Sequence, residues 1–309
     1  MLKMLKIVGG GLFVALLIGK GISVWMEPSE TEASVDAESD RSDAPVDDVI
    51  ITDTVPETPA TRPVRTMDVS DDALYLDFRL PLPEGSVYVS AHTNEYPNSH
   101  YGGPWRPDNI DYSPTHLALN VVAGQDGEKP SMAELRAMPM FHYGRYETIM
   151  RPALGSGVIS AFFTYTGPVM GDPHDEIDIE FSGLRPDQVE FNYFKNGKTG
   201  AHSRHKLDFD ATKEMRLYAF EWHPDKIIWF IDDEEVYRTP EGDTQIPTAP
   251  GQLFISAWAG SPGVKAWVGK LDFGDRTKAD YACMSFTPFD DSSRRCADMY
   301  VEDAQFIRD

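Results

Sequence analysis

Short runs in which apolar and polar residues alternate recur along the chain, and turn-forming residues separate them. An alternation of period two is typical of β-strands with one buried face. The breaks contain sharp turn signals such as Asn196-Gly197 and His223-Pro224-Asp225. The pattern predicts strands over residues 86–90, 117–121, 143–150, 157–166, 176–181, 188–194, 215–222, 226–231, 235–238, 253–258 and 281–286.

Helical patterning is almost absent, and the one helix that the sequence predicts is brief, over residues 131–136. Many closely spaced strands with scarcely any helix favour an all-β domain of two packed antiparallel sheets. The sequence contains no internal repeat.

The strand predicted at residues 176–181 carries three acids at alternate positions, Glu176, Asp178 and Glu180. Alternate residues of a strand share one face, so the three carboxylates line a single surface. The glutamate Cα atoms then lie roughly 13 Å apart, and inward-leaning arms shorten the gap between the carboxyl groups to about 5 to 6 Å. That separation suits retaining glycoside hydrolysis. Taken alone, the alternation favours a half-buried strand with a solvated acidic face.

The surrounding motifs favour the catalytic interpretation of the three acids. The chain resembles glycoside hydrolase family 16, in particular the bacterial lichenases that cleave mixed-linkage β-1,3-1,4-glucan. The matching segments agree with the family in order and spacing, and they are residues 143–147, 157–168, 191–197, 218–222 and 247–258. The resemblance implies a jelly-roll sandwich of two curved antiparallel sheets with a concave substrate cleft. It also implies a retaining endo-glucanase with Glu176 as nucleophile, Glu180 as general acid and then base, and Asp178 as their electrostatic helper.

The same resemblance assigns further positions to the substrate cleft. Flat apolar rings stack on sugar faces, and polar groups fix the hydroxyls. The implied substrate contacts are Glu147, Phe163, Tyr165, His174, Asn192, Phe194, Trp258 and Trp267. Trp222 and Trp229 are expected in the core instead.

Several of these positions depart from the lichenase pattern, which leaves the substrate open. His174 stands where lichenases carry a tryptophan, Phe194 lacks a tyrosine hydroxyl, Ile149 replaces an arginine and Gly102 an asparagine. The pair His174-Asp175 is similar to the xyloglucan transglycosylases of the family. The alternatives are therefore a transglycosylase, an exopolysaccharide-processing glycanase, and a non-catalytic carbohydrate-binding protein.

The N-terminal part differs from the rest of the 309-residue chain. Lys3 and Lys6 precede an apolar run over residues 7–18, so residues 1–26 are expected to be a signal peptide or an uncleaved membrane anchor. Residues 27–60 hold eleven Asp or Glu against one Arg, and residues 27–66 are expected to form a disordered linker. Residues 67–309 then form the catalytic domain of an exported monomer, extracellular or periplasmic. No basic patch favours a nucleic-acid partner.

The only cysteines, Cys283 and Cys296, lie close together near the C-terminus. In an exported protein they are expected to form a disulfide, and two free buried thiols are the alternative. Neither cysteine belongs to a ligand cluster, and the eight histidines show no metal-binding spacing. The sequence therefore predicts no metal and no cofactor.

Overall fold

The computed structural model describes residues 67–303, except residue 71 and residues 94–98. Within that part of the chain, strands dominate and all their pairings are antiparallel. In chain order the strands are β1 (Asp68–Val69), β2 (Leu74–Asp77), β3 (Val87–Val89), β4 (Ile110–Tyr112), β5 (Leu117–Val122), β6 (Ala133–Phe141), β7 (Gly144–Arg151), β8 (Val158–Thr166), β9 (Asp175–Ser182), β10 (Gln188–Lys195), β11 (Lys198–Thr199), β12 (Ser203–Lys206), β13 (Arg216–Trp222), β14 (Ile227–Ile231), β15 (Glu234–Arg238), β16 (Gly251–Ala259) and β17 (Arg276–Thr287).

The strands form two sheets. One sheet has the order β1-β2-β17-β7-β13-β14-β15, with β5 paired to β17 and β4 paired to β5; we call it the nine-stranded sheet. The other has the order β11-β10-β9-β8-β16-β6-β3, with β12 paired to β10; we call it the eight-stranded sheet. The described residues contain two 3-10 turns, Pro107–Asn109 and Pro262–Val264, and two short α-helices, α1 (Lys265–Val268) and α2 (Cys296–Glu302).

The main core lies between the two sheets and is built by alternate residues of each. Ile177 and Ile179 of β9 are fully buried there and belong to the same apolar cluster as Phe220 of β13. Trp222 and Trp229 are also buried, and their indole N–H groups donate to the carbonyl oxygens of Pro247 and Asp178, 3.1 Å in each case. Because both polar atoms are satisfied, these rings fill core volume without a desolvation cost. Their predicted place in the core is confirmed.

A second apolar cluster covers the other face of the nine-stranded sheet, beneath α2. Cys283 of β17 and Cys296 at the start of α2 are joined as a disulfide, as predicted, with their Cα atoms 5.7 Å apart. The backbone N–H of Cys296 donates to Ser285 Oγ at 3.1 Å. The disulfide thus attaches the helix to the last strand of the domain.

The helix predicted at residues 131–136 is wrong. Ser131 and Met132 form isolated bridges, and the following residues begin β6, which pairs with β16 and β3. Ala133, Leu135 and Ala137 point to the core, whereas Glu134 and Arg136 point to the opposite face. Alanine, glutamate and leucine favour helices locally, but pairing on both sides of the strand overrides that weak preference.

The signal and linker predicted for residues 1–66 lie outside the described residues. Of the residues that the structure does describe, none belongs to a helix with the length and apolar character needed to cross a membrane. The division into residues 1–26, 27–66 and 67–309 stays a prediction.

Candidate active site

Three acids of β9 share one face of the eight-stranded sheet. Ile177, Ile179 and Phe181 alternate with them and pack into the core, so Glu176, Asp178 and Glu180 project from the opposite side. We call this side the acidic face. Asp178 is almost fully buried, and Glu176 and Glu180 are partly exposed. The predicted arrangement of the three acids is confirmed.

Residues of the neighbouring strands form three rows with these acids, because β8 and β10 flank β9 in register. Residues directly opposite each other in an antiparallel pair have neighbouring side chains. The rows are Tyr165, Glu176 and Phe194; Phe163, Asp178 and Asn192; and Ala161, Glu180 and Glu190. Four predicted contact residues, Tyr165, Phe163, Asn192 and Phe194, therefore lie beside the acids.

The surroundings favour the protonated form of two of the three acids. Burial, followed by the charges of Glu176 and Glu180 and a hydrogen bond with Glu176, raises the pKa of Asp178 well above its usual value. Burial, followed by the charges of Glu190 and Glu176, raises the pKa of Glu180 to about 8. Glu180 therefore carries a proton near neutral pH, which is what a general acid requires.

His174 lies directly at Glu176. Its Nε2 atom is 2.5 Å from Glu176 Oε2, and its ring stacks on Phe194 with a centroid distance of 5.0 Å. The next residue, Asp175, holds the start of β9 in place, because its carboxylate accepts backbone N–H groups of Asn196, Thr248 and Ala249 at 2.7 to 3.0 Å. His174 is thus a neighbour of the acids, at the position where its contact with substrate was predicted.

Aromatic residues border the acidic face beyond the Glu180 row. Trp258 of β16 meets Trp267 of α1 edge to face, with a centroid distance of 5.8 Å, and meets Tyr101 at 5.2 Å. Trp267 Nε1 lies 3.1 Å from both carboxylate oxygens of Glu190. Burial, followed by the charges of Glu134, Glu176 and Glu180, raises the pKa of Tyr101 well above its usual value. The structure therefore brings both predicted tryptophans and Tyr101 to this border.

The prediction for Glu147 does not agree with the structure. Glu147 lies on β7 in the nine-stranded sheet and is fully buried under α2. Arg145 Nε donates to its Oε1 atom at 2.6 Å, and the backbone N–H of Ala297 donates to Oε2 at 2.8 Å. Strand β7 pairs with β13 and β17, so the carboxylate anchors the helix and lies apart from the acidic face.

Sequence reasoning missed a pair of charged residues on β6. Glu134 lies opposite Ser256, Arg136 lies opposite Phe254, and both point to the acidic face. Ser90 Oγ donates to Glu134 Oε1 at 2.6 Å, and burial raises the pKa of Glu134 to about 7, with the charge of Glu176 adding to the effect. The helix prediction hid them, although the alternation Ala-Glu-Leu-Arg-Ala is a period-two signal.

Glu190 of β10 was also missed. It is 5% exposed, and its carboxylate contacts His202, Arg204 and Trp267. Within residues 67–303 as described, no group of three or more His, Cys, Asp and Glu side chains is arranged to hold a metal ion. The absence of a metal and of a cofactor from the reaction stays a prediction.

An antiparallel sandwich with three aligned carboxylates and a border of aromatic rings agrees with the class that the sequence predicted, the all-β glycoside hydrolases. The chain belongs to the glycosyl hydrolases family 16, whose family model matches residues 97–282. Its membership confirms the predicted family and the jelly-roll fold.

Characterised relatives are named as β-glucanases. The chain is 38% identical over 185 residues to a β-glucanase of Acetivibrio thermocellus and 41% identical over 192 residues to one of Brevibacillus brevis. The matched region covers 60% and 61% of this chain, and 54% and 72% of the two relatives. The match thus spans about half the length of the Acetivibrio protein.

Solved structures show the same fold. A β-1,3-1,4-glucanase (lichenase) from a mouse hindgut metagenome superposes with a TM-score of 0.65 at 33% identity, covering 71% of this chain and all of that one. The β-glucanase of Bacillus licheniformis superposes with a TM-score of 0.65 at 31% identity, covering 70% of this chain and 98% of that one. The Crh5 transglycosylase, at 20% identity and a TM-score of 0.58, shares the fold.

Proposed function

We propose that the protein is a retaining, endo-acting glycoside hydrolase that cleaves β-glucan, either mixed-linkage β-1,3-1,4-glucan or a similar polymer. One observation carries the proposal: Glu176 and Glu180 share one face of β9, with Asp178 between them, and the surroundings of Glu180 keep it protonated. Retaining hydrolysis needs this pairing of one nucleophilic carboxylate with one carboxylic acid.

In the first chemical step the Glu176 carboxylate attacks the anomeric carbon, and the glycosidic bond breaks. Glu180 gives its proton to the departing glycosidic oxygen, so the leaving sugar departs as a neutral alcohol. In the second step Glu180, now ionised, takes a proton from water. The resulting hydroxide oxygen attacks the same carbon, and the bond to Glu176 breaks. Two inversions return the original anomeric configuration.

The charges on β9 suit this change of role. The negative charge of Glu176 is one of the causes of the high pKa of Glu180. When Glu176 becomes an ester, that charge disappears, and the pKa of Glu180 falls toward the range of a base. Asp178 lies between the two glutamates and shares a hydrogen bond with Glu176. A protonated Asp178 would orient the nucleophile without adding a competing charge.

The choice of β-glucan as substrate is supported by the flat rings around the acids and by the names of the relatives. Tyr165, Phe163 and Phe194 provide apolar surface beside the catalytic row, and Asn192 provides an amide for sugar hydroxyls. The β-glucanases that resemble this chain share its family and fold.

The experiment that tests the proposal is product sizing with a panel of polymers. Purified protein is incubated with barley β-glucan, lichenan, laminarin, xyloglucan and a bacterial exopolysaccharide. We expect short oligomers from barley β-glucan and lichenan early in the reaction, and NMR should show the β-anomer as the first product. Release of the α-anomer first, or no cleavage of either mixed-linkage polymer, would overturn the proposal.

Transglycosylation is a second candidate, favoured by one observation. The pair His174-Asp175 is the feature that is similar to the xyloglucan transglycosylases, and His174 shares a hydrogen bond with Glu176. Adding a fluorescent oligosaccharide acceptor to the xyloglucan reaction tests it. Label moving into the polymer faster than reducing ends accumulate would favour transfer over hydrolysis.

Export of the protein as a monomer remains part of the proposal. Lys3, Lys6 and the apolar residues 7–18 support a signal, cleaved or retained as a membrane anchor, and residues 27–66 support a tether. Fractionation of cells that produce the full chain, with N-terminal sequencing of the product, tests both forms of the signal. Light scattering of the purified protein tests the monomer.

A further inference from the structure

A second glutamate lies directly opposite the proposed general acid. In the register of β9 and β10, Glu190 pairs with Glu180, and both side chains project from the acidic face. Residues opposite each other in an antiparallel pair have Cβ atoms about 4.5 to 5.5 Å apart. Two carboxyl groups this close cannot both ionise freely, so their surroundings decide which one holds the proton.

The surroundings place the negative charge on Glu190. Its carboxylate is 2.9 Å from His202 Nε2, accepts a hydrogen bond from Arg204 Nη2 at 3.3 Å, and receives the indole N–H of Trp267 at 3.1 Å. Burial alone would raise its pKa, but the His202 hydrogen bond, the Arg204 charge and the Trp267 hydrogen bond together hold the pKa of Glu190 below its usual value.

Among the residues that the structure describes, Glu180 has no comparable set of donors. On its own strand it faces Asp178 and Glu176, on β10 it faces Glu190, and on β8 the opposite residue is Ala161, which has no charge. Tyr101, in the segment that precedes β4, is close enough to Glu180 for an electrostatic interaction. After burial, the charge of Glu190 is the largest contribution to the raised pKa of Glu180.

We propose that Glu190 is a positioning residue whose fixed negative charge, held by His202, Arg204 and Trp267, keeps Glu180 protonated for the first step of the reaction. The inference rests on the proposed role of Glu180 as general acid. Glu190 itself touches no reacting atom in this scheme. It acts across the strand pair, and the His202, Arg204 and Trp267 contacts keep its charge in place.

The decisive variant is Glu190→Gln, which keeps the shape of the side chain and removes its charge. Without that charge the pKa of Glu180 falls. The positive charge of Arg204, no longer balanced by Glu190, also lowers the pKa of Glu180. Because Glu180 must be protonated to act as the acid, the basic limb of the pH profile of kcat/KM should move to lower pH by on the order of one unit. Glu190→Asp keeps the charge and should keep the limb near its wild-type position.

Asp187→Asn provides the matched control. Asp187 lies just before β10 and pairs with Lys206 at the surface, so its substitution removes one negative charge without touching the acidic face. Its pH profile should coincide with that of the wild type. A basic limb of Glu190→Gln that also coincides with the wild type, at unchanged thermal stability, would overturn the inference.

Arg204→Gln provides an independent test of the role of Glu190 if Glu190→Gln does not fold. Arg204 is 39% exposed at its side chain, so its loss is tolerable, and His202 and Trp267 still hold Glu190. The negative charge of Glu190 is then balanced by fewer positive charges, so the pKa of Glu180 rises. The basic limb of the pH profile should therefore move to higher pH. A shift to lower pH, or none, would count against the inference.

Failure of the inference and failure of the proposed function are distinguishable. If Glu180→Gln slows substrates with poor and with activated leaving groups equally, Glu180 is not the acid and the proposed function fails. If Glu180→Gln behaves as the loss of an acid and Glu190→Gln leaves the pH profile unchanged, the role of Glu190 alone is wrong.

Discussion

The imidazole of His174 shares a hydrogen bond with Glu176, the proposed nucleophile, and stacks on Phe194 of the adjacent strand. The ring is therefore fixed by the stack on one of its faces and by the hydrogen bond at its edge. A nucleophile with one oxygen held in this way keeps its orientation toward the anomeric carbon, which lowers the entropy that the reaction must lose.

We expect His174→Phe to lower kcat/KM by about ten- to a hundredfold, the range for losing a hydrogen bond to a charged group. The phenyl ring keeps the stack on Phe194 but cannot bind Glu176. His174→Gln offers an amide to Glu176 but cannot stack on Phe194. It should be less impaired than His174→Phe if the hydrogen bond contributes more than the stack. Steady-state kinetics with an activated aryl glycoside measures both. Equal activity of His174→Phe and the wild type would show that the hydrogen bond has no catalytic role.

Glu176→Ala should abolish hydrolysis and leave the fold intact, because the side chain projects from the acidic face and fills no core volume. Azide added to this variant should restore turnover of an activated substrate and give an inverted glycosyl azide, since the small anion occupies the space of the missing carboxylate. Circular dichroism controls for folding. Hydrolysis near the wild-type rate without azide would contradict the assignment of Glu176 as nucleophile.

Glu180→Gln should slow substrates with poor leaving groups by about 10² to 10⁴-fold, the usual contribution of general acid catalysis. Activated aryl glycosides need no protonation and should be affected far less in the first step. In the wild type, activity with poor leaving groups should fall as the pH rises through about 8, where Glu180 loses its proton. An unchanged rate from pH 7 to 9 would argue against Glu180 as the acid.

The central strands could be predicted from the sequence because each has one face in the core. Strand β9 alternates buried isoleucine with acids, and its bounds differ from the prediction by one residue at each end. Strand β2 was missed because all four residues, Leu74 to Asp77, are buried and no alternation is visible. Strands β11 and β12 are short, polar edge strands that only their pairing with β10 defines.

The roles of the site residues were harder to assign, because register between strands is a tertiary property. Glu180 is visible in its own strand, but nothing local places Glu190 opposite it. Glu134 was hidden by helix-forming neighbours, and Glu147 was assigned to the cleft although β7 belongs to the other sheet. The motif therefore located the strand that carries the three acids, and the resemblance placed Phe163, Tyr165, Asn192 and Phe194 beside it. The charged neighbours Glu134 and Glu190 stayed unassigned.

Removing the disulfide should lower stability without affecting catalysis. Cys283 and Cys296 are 13 residues apart, and closing a loop of this size contributes about 3 kcal/mol in the chain-entropy model. The double variant Cys283→Ala/Cys296→Ala should show a lower Tm, and reduced wild-type protein provides the comparison without lost side-chain volume. Activity at 25 °C should persist because α2 covers the sheet that does not carry the acids. An unchanged Tm of the reduced protein would contradict the prediction.

Asp280 of β17 should make stability depend on pH. It is buried and pairs with Arg151 at 2.6 Å, Lys278 at 2.9 Å and His116 at 3.2 Å. Burial opposes its charge, but the interactions with His116, Arg151 and Lys278 lower the pKa of Asp280 to about 2. The unfolded value is about 3.9, so the carboxylate stabilises the fold above pH 4 and loses this effect as the pH falls toward 2.

We therefore expect Asp280→Asn to lower the free energy of unfolding by about 2 kcal/mol at pH 7, and the difference from the wild type to shrink between pH 4 and pH 2.5. Asp111→Asn is the matched control, because Asp111 is exposed and its pair with Arg276, at 3.4 Å, is a surface ion pair worth at most about 1 kcal/mol. Urea unfolding at pH 7, 4, 3 and 2.5 measures both variants. A loss in Asp280→Asn that stays constant down to pH 2.5 would mean that packing, and not the charge of Asp280, accounts for its contribution.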